Sequence, residues 1–213
     1  MAIKYTINEE RANFISHSFG VVIILVVSIY FIAYAPVDVT PMYMLGMLLY
    51  SIGASSSYIA SSVYHHCPAK SPYREKLRKF DHAAIYWHIA GSYSPITLIG
   101  MTAREEWGWI LFILVWLCAI VGSVISFRGL KEHSNIETIC FVGMGLLMLV
   151  AFNPVLECIG WKSMKWILAE GAAFIVGAVF YSFNKIAYMH TVFHVFVLFG
   201  SVFHILAIYY MLY

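Results

Sequence analysis

The chain is poor in charge. Of its 213 residues only 11% are Asp, Glu, Lys or Arg, against about 25% in a soluble globular domain. What charge there is nearly cancels, at a formal net +2. The basic residues sit at the edges of apolar segments, which argues against a nucleic-acid partner. Alternation of polar and apolar residues is missing, and that excludes the strands of an outer-membrane barrel. There is no CxxC pair among the four cysteines, Cys67, Cys118, Cys140 and Cys158, so no disulfide framework is implied. The polar start, MAIKYTINEERANF, lacks the short apolar core and small-residue cleavage site of a signal peptide. The first apolar segment is therefore expected to stay in the mature protein. Long linkers, low-complexity tracts and internal repeats are absent as well, so one domain covering residues 1–213 is expected.

What is present is apolar side chain. Hydrophobic residues make up 62% of the sequence and the mean hydropathy is +0.79, which excludes disorder. The apolar residues run unbroken over seven segments, about 15–35, 42–65, 81–102, 107–127, 136–152, 166–183 and 188–211. Each is near the roughly 20 residues that one helix needs to cross a bilayer. The sequence thus predicts an all-α membrane protein, a seven-helix bundle with short loops.

Lysine and arginine set the orientation. Lys4, Arg11, Lys70, Arg74, Lys76, Arg78, Lys79, Arg128, Lys131 and Lys185 fall on one side of such a bundle, and Arg104, Lys162 and Lys165 on the other. The bias predicts a cytoplasmic N-terminus and an outside C-terminus. Trp107, Trp109, Trp161 and Trp166 flank segment ends on the outer side, where amphipathic rings settle.

Ionisable residues inside a membrane are expensive and face a bundle interior or cavity. His17, His65, Asp81, His190 and His194 come from four segments, yet the topology brings them to one cytoplasmic layer. His190 and His194 are four residues apart and share a helix face. Imidazole suits zinc, and three protein ligands plus water is the usual catalytic layout. The same spacing is also compatible with ordinary polar contacts. His65 can supply a third ligand. Ser61, one turn before it, either reaches into the site or bonds its own helix backbone. Asp81 reads as a carboxylate at a helix N-terminus, where the dipole favours negative charge. It is either a cap or a functional group. His88 falls on the Asp81 face. His82 points elsewhere, His66 and His133 read as loop or interface residues, and Glu137 and Glu170 as interfacial or capping ones. His204 lies about 15 Å beyond His194 at the standard helical rise, too far for the same metal; an interhelical hydrogen bond is expected of it.

Four blocks carry a resemblance. Ser61-Ser-Val-Tyr-His65, Lys79-Phe-Asp81-His-Ala-Ala-Ile-Tyr86, Ala90-Gly-Ser-Tyr-Ser-Pro95 and His190-Thr-Val-Phe-His194-Val-Phe-Val-Leu-Phe-Gly-Ser201 resemble, in order, the hemolysin III family. These are the bacterial members of the progestin and adiponectin receptor group. The resemblance spans essentially the whole chain. It implies a multi-pass protein of the bacterial cell membrane with an inward N-terminus and a zinc ion near the cytoplasmic face. The family's zinc histidines map onto His65, His190 and His194, its serine onto Ser61 and its aspartate onto Asp81. The group is also similar to alkaline ceramidases, which hydrolyse a lipid amide with a comparable zinc site.

Three functions follow as expectations. The first is intramembrane zinc-dependent hydrolysis of a lipid amide or ester, with Asp81 as general base and Ser61 bonding the oxyanion or holding the water. The second is a receptor-like regulator of membrane lipid state, with zinc stapling the second and seventh helices. The third is an oligomeric pore, for which the apolar fourth and fifth segments offer few polar lining residues. Membrane lipids are the expected environment and substrate; an oligomer is permitted but not indicated.

Overall fold

The computed structural model describes residues 5–36, 38–128, 135–183 and 185–213. Lys4, Lys131 and His133 lie outside the described residues. The described secondary structure is helical, with no strand. It comprises α1 (Ile7–Ala33), α2 (Pro41–His66), α3 (Arg74–Pro95), α4 (Glu105–Arg128), α5 (Asn135–Gly145), α6 (Phe152–Ser182) and α7 (Met189–Leu212). Helix starts follow local chemistry. Thr6 and Glu9 close a capping box on α1, satisfying otherwise orphaned amides. The Thr40 hydroxyl accepts from the Tyr43 N–H, and Pro41 opens α2, where a missing N–H costs nothing.

Four helical stretches are long and apolar enough to cross a membrane: Ile7–Ala33, Thr102–Arg128, Ile136–Ser182 and Met189–Leu212. α2 and α3 are less apolar. α2 carries Ser51, Ser55, Ser56, Ser57, Ser61 and Ser62, and α3 opens on Arg74, Glu75, Lys76, Arg78 and Lys79. The distribution of polarity is inverted from that of a water-soluble protein. Val26, Ile29, Ile113, Leu117, Ile120 and Val121 are exposed, whereas Asn13, His17, Ser61, His65, His88, His194 and His204 are buried. Apolar flanks around a polar interior suit hydrocarbon surroundings.

Two expectations change at helix ends. α3 begins at Arg74, so Asp81 lies two turns inside the helix and is not its N-cap. The dipole argument for a cap at Asp81 therefore fails. The connection expected after residue 152 is helical instead. Helix resumes at Phe152, tolerates Pro154 in its first turn, and breaks only at Gly160 (φ 68°, ψ 168°), a conformation that side-chain-bearing residues avoid. Between α5 and α6 the chain tightens into a 3₁₀ stretch, Leu146–Ala151. That transition frees backbone groups. The Tyr93 hydroxyl serves them, donating to the Gly145 carbonyl at 2.7 Å and accepting from the Met148 N–H at 2.8 Å.

The α2–α3 contact positions the site. Gly53 and Gly91 meet where a Cβ on Gly53 would lie 2.3 Å from the Trp87 carbonyl oxygen, and one on Gly91 2.8 Å from that of Leu49. Small residues let the two backbones touch, as membrane helices do in the absence of a hydrophobic drive. The partners at one end of the bundle are Glu10, His65 and Arg74, then His82, Ser126 and Glu137, then Tyr181 and His190. At the other end Arg104 pairs with Glu157, and the Tyr213 hydroxyl donates to the Tyr34 carbonyl.

Candidate metal centre

His65, His190 and His194 converge. One ring nitrogen of each lies within 4.8 Å of the others, and Nε2 of His65 is 3.2 Å from Nε2 of His190. α2 delivers His65 in its last turn, and α7 delivers the other two from its first turns. The backbone entering α7 is held by α1. Tyr188, in the left-handed region at φ 63°, donates its N–H to Glu9 Oε1 at 2.9 Å.

Neighbours fix which nitrogens face the cluster. Nδ1 of His65 lies 2.7 Å from Glu10 Oε2. A carboxylate only accepts, so that nitrogen carries the proton and Nε2 presents its lone pair. Nδ1 of His194 lies 3.1 Å from Ser16 Oγ, whose own proton goes to the Asn13 carbonyl at 2.9 Å. The same reasoning puts the His194 lone pair on Nε2. Nε2 is thus the ring nitrogen that His65 and His194 each leave available to a shared cation. The carboxylate behind His65 and the hydroxyl behind His194 resemble the way metal-ligating histidines are oriented. Three nitrogens at these separations fit one ion after small ring rotations, since a zinc–imidazole bond is about 2.0–2.1 Å.

Asp81 stands outside this group of three. It lies within electrostatic reach of His65, His82 and Arg74, and beside the buried Ser61 hydroxyl without forming a well-aligned hydrogen bond to it. His17 stacks on His194 with ring centroids 3.5 Å apart, close enough to wall the cluster from α1. Tyr5 covers the cluster from the other side, 5.1 Å from the His190 ring and 6.0 Å from that of His65. A cavity of about 190 Å³ opens from here between α2, α3, α5, α6 and α7. Asp81, Ser61, His190 and His194 line one end of it, and the remainder is largely apolar.

Several of these contacts have no counterpart in the sequence reading. Glu10 accepts from His65 and also from Arg74. Its signal was spacing: Glu10, Asn13 and His17 repeat at helical intervals along one face of α1. His82 is not a bystander, because its Nδ1 lies 2.6 Å from Glu137 Oε2, while Ser126 donates to Oε1 of the same residue at 2.7 Å. Glu137, in the first turn of α5, and Glu170 are both buried. Oε2 of Glu170 lies 2.8 Å from Nδ1 of His204, the interhelical bond expected of that histidine. His88 lines the cavity, with Nε2 3.5 Å from Ser201 Oγ. The four cysteines are free.

Comparison with known proteins agrees with the helical blocks. The family model described as haemolysin-III related matches residues 5–205. Hemolysin-3 of Bacillus cereus is 33% identical over 196 residues, covering 92% of this chain and 88% of its own. The Hemolysin-3 homolog of Bacillus subtilis (strain 168) is 29% identical over 197 residues, covering 92% and 91%. More distantly, the human monocyte to macrophage differentiation factor is 25% identical over 180 residues, covering 78% and 69%. A match over nearly the whole length, joined to an apolar helical exterior, makes this a multi-pass membrane protein that belongs to the haemolysin-III family.

Proposed function

We propose that this protein is an intramembrane zinc-dependent hydrolase of a lipid amide or ester. The observation that carries the reading is the three-imidazole cluster opening onto an apolar cavity, with Asp81 and Ser61 on the wall beside it. Three nitrogen ligands favour zinc and leave a coordination position for chemistry. Zinc, when bound, polarises a carbonyl and makes water acidic. The rest falls to the chain. His65, His190 and His194 hold the ion, while Glu10 and Ser16 keep their imidazoles in the ligating tautomer. Asp81 takes the proton of the attacking water as the new C–O bond forms, then returns it to the leaving nitrogen or oxygen as the scissile bond breaks. The Ser61 hydroxyl donates to the oxyanion that develops on the carbonyl oxygen. The apolar cavity receives the lipid tail and keeps bulk water out.

The reading places seven crossings in the membrane, with the cluster at the cytoplasmic side. Ile136–Ser182, at 47 residues, is more than twice what one crossing needs and is broken at Gly160. α2 buries Ser57, Ser61 and Ser62, and α3, past its charged start, buries His88, Ser92 and Ser94. Eight basic side chains among the described residues, Arg11, Lys70, Arg74, Lys76, Arg78, Lys79, Arg128 and Lys185, lie at the histidine end, against Arg104, Lys162 and Lys165 at the other. A periplasm-active reporter fused after Tyr213 is expected to give signal; a reporter active only in the cytoplasm at that position would reverse the orientation.

Hydrolysis itself is testable on purified protein in lipid nanodiscs. Long-chain N-acyl amides and esters are expected to be cleaved, with activity lost on chelation and restored by zinc. Absence of turnover over a broad panel of lipid amides and esters would turn the reading towards a regulator in which the metal staples α2 to α7. The Glu10–Arg74 link between α1 and α3 would reinforce such a staple.

A further inference from the structure

The cavity has a second polar end. Glu170 on α6 and His204 on α7 are both buried, and both line the cavity. Nδ1 of His204 lies 2.8 Å from Glu170 Oε2. That bond engages Nδ1 and leaves Nε2 as the free nitrogen of the ring. That Nε2 has no hydrogen-bond partner among the described residues. The Tyr50 ring packs against the imidazole at a centroid distance of 5.2 Å, helping to set its plane. The cavity wall here mixes apolar Ile96, Met148, Ile167 and Val197 with the polar His88, Ser92 and Tyr93. A clamp between α6 and α7 needs only the Nδ1–carboxylate bond. An unsatisfied ring nitrogen at that depth is costly and calls for a partner from inside the cavity.

We infer that this end of the cavity is a binding site for a hydroxyl carried partway along a lipid chain, hydrogen-bonded to His204 Nε2. The chemistry narrows the choice. The free ring nitrogen needs a neutral hydrogen-bond partner, and a hydroxyl serves it as donor or as acceptor. An ammonium or other ionised group so deep in the membrane is strongly disfavoured, whereas a neutral hydroxyl is carried there at small cost once bonded. Geometry fixes where on the lipid it lies. His204 is ten residues beyond His194 along α7, about 15 Å at the helical rise. A long chain whose polar head rests at the three histidines would bring a mid-chain hydroxyl to this level. The inference rests on the hydrolase reading only for the placement of the head, and it adds selection among chains by a hydroxyl.

The test compares two fatty acids that differ by one group: stearate and a hydroxystearate with its hydroxyl near mid-chain. Each displaces a fluorescent fatty acid from the purified full-length protein in nanodiscs. Contributions of the carboxylate head and apolar tail cancel in the ratio. The hydroxy acid is expected to bind about tenfold more tightly, the scale of one hydrogen bond to an otherwise unsatisfied buried group. His204→Phe is expected to erase the ratio while leaving stearate affinity in place. That change strands Glu170, so His204→Phe with Glu170→Met serves as a second variant in which both partners are removed together. Equal affinities in the unaltered protein would overturn the proposal and show the deep end to be merely hydrated. So would a preference that persists in both variants, or binding of neither acid. Failure of the hydrolase reading looks different: no turnover of any lipid, with the hydroxyl preference intact.

Discussion

Replacing Asp81 by asparagine is expected to lower lipid hydrolysis by about 10²–10⁴-fold, the usual worth of a positioned general base, while zinc content and thermal stability stay near those of the unaltered protein. Asparagine keeps the shape of the side chain and removes only its ability to take a proton. Asp81 is well placed for the task. It shares the cavity wall with Ser61 and the α7 histidines, lies within reach of His65, and is not one of the three clustered ligands. Two competing roles predict different results. A fourth ligand in a closed structural site would make the substitution reduce zinc affinity and melting temperature together, since metal binding and folding are coupled. A helix cap would make it nearly silent, because asparagine caps as well as aspartate. The start of α3 at Arg74 already argues against the cap. Turnover by Asp81→Asn at the unaltered rate, measured on a lipid that the parent cleaves, would remove the general base from the mechanism.

The metal content of ligand variants should show the second large effect. Purified protein is expected to carry one zinc per chain. His65→Ala, His190→Ala and His194→Ala should each lose most of it, because two imidazoles make a poor site. His204→Ala should retain it, although its pairing with Glu170 places it in the same cavity. Glu10→Gln provides a graded intermediate. The amide can still accept from Nδ1 of His65 but is no longer a charged acceptor, so zinc affinity should fall by about 10–100-fold, as for other residues that orient metal ligands. Elemental analysis after dialysis against a weak chelator separates the classes. Equal zinc in all five variants would mean that the three imidazoles are not the ligands.

What the sequence revealed was local or topological. The pairs Ser61–His65 and His190–His194 needed only the 3.6-residue period, and the alternating order of the apolar segments sufficed to bring their histidines to one end of the bundle. Partners supplied from other helices were not legible in that way. Glu10 for His65, Ser16 for His194, Glu137 for His82 and Glu170 for His204 each depend on helix rotation and packing angle, which one sequence does not encode in any short pattern. The two buried glutamates show the difficulty. Near a segment end, a carboxylate that faces water and one that turns inward to meet a histidine have the same sequence signature. Asp81 was misplaced for a related reason. The charged run Arg74–Lys79 lowers hydropathy without interrupting the helix, so the apolar segment starts later than the helix does. At Gly160 the true break lay within a stretch whose Asn153 and Pro154 suggested an earlier one.

The cover that Tyr5 forms over His65 and His190 has a practical consequence for handling the protein. A purification handle joined at the N-terminus would leave the chain beside the imidazole cluster. A run of histidines there would compete for the ion whose stoichiometry is to be measured, and could distort both metal content and spectra. A handle after Tyr213 emerges at the opposite end of the bundle, where Tyr213 rests against Tyr34, and leaves the metal chemistry to the native side chains.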